Sequence, residues 1–126
     1  MTYVVDTDVL IDHLRARPAA TEAFRNALRS GRRVAGSVMT RVEVRRGVLP
    51  EEVATVEAVE ALVDWVPVDH EIAATAERHA ERFGRSHSGI DAVDYVVAAT
   101  TERLGAELLT RNVRHFPMFP DLEPPY

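Results

Sequence analysis

Four short runs of strand-forming residues alternate with stretches of helical periodicity, and this alternation is the strongest constraint on the fold. Tyr3-Val4-Val5, Arg33 to Ser37, Trp65 to Val68 and Glu107 to Thr110 read as the strands. Between them, Val9-Leu10-Ile11 leads into a short helix over Asp12 to Arg15 that Pro18 halts, and Ala19 to Ser30 reads as a second helix. Thr40 is expected to open a helix closed by Gly47. Val53, Val56, Val59, Leu62 and Val63 form an apolar stripe on a helix over Glu51 to Asp64. Asp69 is expected to cap a helix running to Phe83, and Ile90 to Leu104 is expected to be helical up to Gly105. Strands in turn with helices imply an α/β fold, a mostly parallel central sheet flanked by helices, over a single domain spanning 1–126.

Composition narrows the chemistry. There is no cysteine, which removes disulfides, a thiolate nucleophile and cysteine zinc sites. All 15 basic residues are arginine, so a Walker A loop, a Schiff-base lysine and lysine-dependent phosphotransfer are excluded. No apolar run approaches a membrane span and no basic segment precedes an apolar one, so a cytoplasmic protein without a membrane partner is expected. Residues 1–49 carry nine arginines against five acids, while the remainder carries six against fifteen. Such asymmetry points to a polyanion partner.

The acids at strand ends and inside apolar segments carry the chemistry. Asp6 and Asp8 follow the first strand directly, where ligands bind in open α/β sheets. Asp94 interrupts Ile90, Val93, Val96 and Val97, with Asp91 one turn before it, and Glu43 sits between Val42 and Val44. Isolated buried acids are costly, and with no lysine present a divalent cation such as Mg²⁺ or Mn²⁺ is their natural common partner. Each also has a plainer reading. Asp6 can cap the following helix, Thr40-x-x-Glu43 matches a capping box, and Asp91 can meet a helix dipole. Asp94 is placed beyond the cap positions, and no cap explains it.

Four ordered motifs carry a resemblance: Val4-Val5-Asp6-Thr7-Asp8-Val9-Leu10-Ile11, Ser37-Val38-Met39-Thr40-Arg41-Val42-Glu43-Val44, Asp94-Tyr95-Val96-Val97-Ala98-Ala99-Thr100, and Leu109-Thr110-Arg111-Asn112-Val113-Arg114-His115-Phe116. The chain resembles PIN-domain ribonucleases, most closely the VapC-type toxins of toxin–antitoxin pairs. The resemblance implies a metal-dependent endoribonuclease with Asp6 and Asp94 as metal ligands and Glu43 completing the catalytic set around Mg²⁺ or Mn²⁺. It also implies an RNA substrate, a homodimer and a small antitoxin that occupies the groove. Two positions depart from the family pattern. Asp8 stands where many relatives have Asn, and Asn112 stands where many have a fourth acid. Asp8, Asp91 and Asn112 are therefore further metal candidates, and Asn112 can equally cap the turn before Phe116.

Seven arginines (25, 29, 32, 33, 41, 45 and 46) crowd a stretch with one acid, Glu43. They read either as a phosphate-tracking surface or as solvated helix faces. Helical spacing turns Arg41 and Arg45 away from Glu43 and keeps Arg46 on its face, which makes Arg46 the substrate-binding candidate. The five histidines lack paired metal spacing, and a structural hydrogen bond is expected of His115. Two other functions fit parts of the pattern. Asp6-Thr7-Asp8 suits an aspartate-based phosphatase, which the missing lysine opposes. A non-catalytic RNA- or antitoxin-binding module would not need Asp6, Glu43 and Asp94 together.

Overall fold

A computed structural model describes all 126 residues. Strands β1 (Thr2–Val5), β2 (Arg33–Ser37), β3 (Asp64–Val66) and β4 (Glu107–Leu109) form one sheet in the order β3-β2-β1-β4. Every pairing is parallel, with Val4 opposite both Ala35 and Leu108. Helices α1 (Thr7–Leu14), α2 (Pro18–Arg29), α3 (Val38–Arg45), α4 (Val53–Glu60), α5 (His70–Phe83) and α6 (Ala92–Arg103) make the connections. Short 3₁₀ turns lie at Pro50–Glu52 and Val113–His115. The α/β class and the parallel sheet expected from the alternation are what the chain adopts.

Side chains alternate across the sheet with the strand period of two. Tyr3, Val5 and Val34 face a layer built by Val9 and Leu10 of α1, Phe24 of α2, and Val56 and Val59 of α4. Val4, Ala35 and Leu108 point the other way, onto Val97 and Ala98 of α6 and onto Phe116. Outside α6, α5 adds a third cluster through Ile72, Ala76, Tyr95 and Ala99. Coverage on both faces explains why β1 and β2 read as nearly continuous small apolar runs rather than polar–apolar alternation. Gly36 is small for a packing reason: a Cβ there would stand 2.8 Å from the Trp65 ring.

Several boundaries differ from the sequence reading. α1 begins at Thr7, immediately after β1, because Asp6 caps it, and Val9 and Leu10 are its buried face. α3 begins at Val38 rather than Thr40, because the Ser37 hydroxyl accepts from the Met39 amide at 3.1 Å. The helix expected over 51–64 is a 3₁₀ turn followed by α4, which ends at Glu60. Leu62 therefore falls outside the apolar stripe and is exposed. α6 starts at Ala92, with Asp91 as its cap.

The strand order determines where a ligand can bind. The chain lays β1, β2 and β3 down in one direction, then crosses to the far side of β1 for β4. The segments leaving β1 and β4 therefore diverge, which opens a crevice at their carboxyl ends. Asp6 and Thr110 stand side by side at its floor, one residue beyond the Val5–Leu109 pair.

Candidate active site

Asp6 is only 4% exposed, yet both of its oxygens have protein donors. Oδ1 accepts the Thr7 amide at 2.8 Å and Oδ2 accepts the Thr110 hydroxyl at 2.9 Å. Asp8, in the first turn of α1, accepts the Val9 amide at 2.9 Å and the Arg111 amide at 2.8 Å. The Thr110 hydroxyl also lies 3.4 Å from Asp8, so one proton stands between two carboxylates. These bonds do not offset the cost of the site. Burial first, then the Asp8 charge and a smaller effect from Asp94, push Asp6 up to about 7. Burial likewise raises Asp8, against the lowering effect of the Arg111 and Val9 amides.

Glu43 reaches the same cluster from α3. Its Oε1 accepts the Thr7 hydroxyl at 2.6 Å, across 36 residues of chain. The capping box read at Thr40-x-x-Glu43 does not form: Thr40 is fully buried inside α3, its hydroxyl without a partner. Asp94 corrects a second expectation. It lies within the cap of α6, where Asp91 accepts the Asp94 amide at 3.0 Å and Asp94 Oδ2 accepts the Asp91 amide at 3.2 Å. The cap does not account for all of its behaviour. Burial raises Asp94, the Asp91 amide and His115 oppose this, and the charges of Asp91 and Glu43 add to it. Asp6, Asp8, Glu43 and Asp94 thus form one electrostatic cluster at the switch point.

A family model described as "PIN domain" matches residues 3–119. Ribonuclease VapC19 of Mycobacterium tuberculosis is 46% identical over 123 residues, 98% of each chain. The chain belongs to the PIN-domain family, in its VapC branch. Ribonuclease VapC10 of the same organism is 38% identical over 98% of this chain and 92% of its own. Among solved structures, VapBC2 from Rickettsia felis bound to a promoter DNA fragment matches with a TM-score of 0.81 at 14% identity, covering 97% and 96% of the two chains. A toxin–antitoxin complex from Klebsiella pneumoniae matches with a TM-score of 0.78 at 22% identity and 98% coverage of each chain. These structures share the fold of this PIN domain.

The donor set of this PIN domain suits a hard cation. All of its groups are oxygens, and two of them, on Asp6 and Asp94, belong to desolvated acids whose charges oppose each other. As the side chains stand, no three acidic or imidazole groups converge on a single ion position, because each carboxylate is turned onto a protein donor. The residues with the chemistry to hold Mg²⁺ or Mn²⁺ are Asp6, Asp94 and Glu43, with Asp8 the next acid. Asp91 serves the cap of α6. Asn112 occupies the cap position of the turn before Phe116 through its carbonyl, which accepts the His115 amide at 2.9 Å, and its side chain makes no capping bond.

Folding consumes much of the arginine surplus. Arg45 grips Glu60 through two bonds of 3.0 and 2.5 Å, with Arg41 at 3.4 Å from the same carboxylate. Arg32 pairs with Glu107 at 3.0 Å and Arg33 with Asp64 at 2.7 Å. The basic and acidic parts of the chain therefore neutralise each other in part. Arg46 and Arg15 are different. Both line a cleft of about 400 Å³ that starts at Glu43 and has Ile11, Leu14 and Val48 in its walls. Three residues that act on the carboxylates, Thr7, Thr110 and His115, carried no assignment to the site from sequence. The one signal for the two threonines was a hydroxyl close behind each of the strands that flank the crevice. No helix is long and apolar enough to cross a membrane.

Proposed function

We propose that this protein is a divalent-metal-dependent endoribonuclease, the toxin of a toxin–antitoxin pair, with Asp6, Glu43 and Asp94 as its catalytic carboxylates. The observation that carries the reading is Asp6, buried at the crevice floor and sharing the Thr110 hydroxyl with a second carboxylate, Asp8. A fold gains nothing from gathering like charges in a desolvated crevice, and such clusters mark functional sites. When bound there, Mg²⁺ or Mn²⁺ supplies a Lewis acid for the phosphoryl oxygen and a water of lowered pKa.

The chain's own groups supply the rest. Asp6 and Asp94 would hold the cation, and Glu43, bonded to the Thr7 hydroxyl, would be the acid that orients water. Thr110 and the Arg111 amide keep Asp6 and Asp8 in place. Arg46 and Arg15 supply cations for the RNA phosphates along the cleft next to Glu43. The names of the mycobacterial relatives support RNA cleavage, and the complexes matched in fold support an antitoxin partner. A homodimer in the cytoplasm completes the reading.

The test uses a circular RNA, which only an endonuclease can open. Cleavage is expected with Mg²⁺ or Mn²⁺ and not with chelator. Asp6→Asn, Glu43→Gln and Asp94→Asn are each expected to lower it about a hundredfold or more while remaining folded. Retention of RNA without cleavage, or full activity of Asp94→Asn, would refute the reading.

A further inference from the structure

We propose that His115 is a positioning residue for Asp94: its imidazole occupies one carboxylate oxygen and so leaves the other presented to the cation. This inference rests on the nuclease reading above. The protein contacts of the Asp94 carboxylate all fall on one side. His115 Nδ1 lies 3.1 Å from Oδ2, and the Asp91 amide donates to the same Oδ2 at 3.2 Å. Oδ1 receives no hydrogen bond from the protein. Asp6 and Asp8 differ, since each has a protein donor on both oxygens.

The chain around His115 fixes the ring from both sides. The His115 amide donates to the Asn112 carbonyl at 2.9 Å, closing the 3₁₀ turn. The next residue, Phe116, is fully buried in the cluster that contains Val97 and Ala98 of α6. The imidazole is thus anchored to the same helix that carries its partner. Packing does not explain the ring itself, because 38% of its side chain is exposed. The 3.1 Å contact sets the ring against Oδ2 and orients Asp94 as an outer partner orients a metal ligand. Removing such partners typically weakens metal binding about 10–100-fold.

The experiment titrates Mn²⁺ into the full chain freed of metal, following free Mn²⁺ by its electron paramagnetic resonance signal. Two substitutions separate the ring nitrogens: the Asn amide reaches the place of Nδ1, and the longer Gln amide reaches that of Nε2. His115→Ala is expected to weaken Mn²⁺ binding about 10–100-fold. His115→Asn is expected to restore it, and His115→Gln is not. At saturating Mn²⁺ the KM for RNA should move little in all three. Unchanged Mn²⁺ affinity in His115→Ala overturns the proposal, as does rescue by Gln in place of Asn. Either result leaves the nuclease reading intact if Asp94→Asn still loses Mn²⁺. A parent chain that binds no Mn²⁺ overturns both.

Discussion

Replacing Asp6 by Asn should abolish cleavage and stabilise the protein, by an amount that depends on pH. Burial and the Asp8 charge hold Asp6 at about 7 in the folded chain, against an ordinary 3.8. At 1.36 kcal/mol per pKa unit, its ionisation disfavours the folded state by about 4 kcal/mol. The sign follows from which state binds the proton. Below about pH 4 both states hold it and there is no penalty. Between there and about 7 the unfolded chain has released the proton while the folded chain keeps it, so stability falls as pH rises. Above about 7 both are ionised and the full penalty remains. Asn escapes this and keeps the neighbours satisfied. Its oxygen accepts the Thr7 amide, its amide donates to Thr110, and the Thr110 hydroxyl turns to Asp8, 3.4 Å away. Urea unfolding in chelator should show a stability difference that grows from near zero at about pH 4 towards a ceiling of about 4 kcal/mol at about pH 8. For a chain of this length each kcal/mol moves Tm by about 4 °C. Added Mg²⁺ should then stabilise the parent selectively, by about 2.7 kcal/mol at a hundredfold excess over its Kd. A difference that stays flat with pH, or a variant less stable than its parent at about pH 8, would refute the reasoning.

Other outcomes follow from individual side chains. Arg46→Ala should weaken RNA binding and lower the salt slope by ~0.7 for each phosphate left without its cation, whereas Arg41→Ala, whose guanidinium faces Glu60 and Trp65, should leave the slope unchanged. Filter binding across a salt series checks both. Tyr126→Phe removes the hydroxyl that donates to Asp12 at 2.8 Å and holds that carboxyl low, and should destabilise by about 1 kcal/mol at neutral pH. That difference should vanish in acid, where Asp12 is protonated in both proteins, and unfolding curves at neutral and acid pH would show it. Gly36→Ala drives a methyl to 2.8 Å from the Trp65 ring and should cost about 1–3 kcal/mol, read as a lower Tm with shifted Trp65 fluorescence.

The architecture was legible because it depends on spacing along the chain. A period of two in Tyr3 to Val5, a period near four in Phe24 to Leu28, and breaks at Pro18 and Gly105 are local properties that survive into the fold. Asp6 was legible for the same reason, since it directly follows a strand, whereas Asp94 sits within the cap of α6 and Val42 beside Glu43 is exposed. Helix starts were less so. Ser37 and Thr40 are both cap formers by residue type, and the end of β2 at Ser37 selects the first. The charge asymmetry misled in part, because counting arginines does not show that Glu60, Asp64 and Glu107 meet four of them.

What only the tertiary structure decided is which groups answer the buried charges. Thr110 lies 104 residues from Asp6 and Thr7 lies 36 from Glu43, yet each pair shares a hydrogen bond. His115 meets Asp94 because Phe116 is buried against α6. None of these pairings has a signature in local spacing. Thr7 meets Glu43 because β1 and β2 are neighbours. The other two exist because β4 crosses to the far side of β1, so that chain segments emerge beside each other at the carboxyl edge of the sheet. Residue type and period set the elements and the acids; the order of the strands set which hydroxyl, amide and imidazole those acids would find.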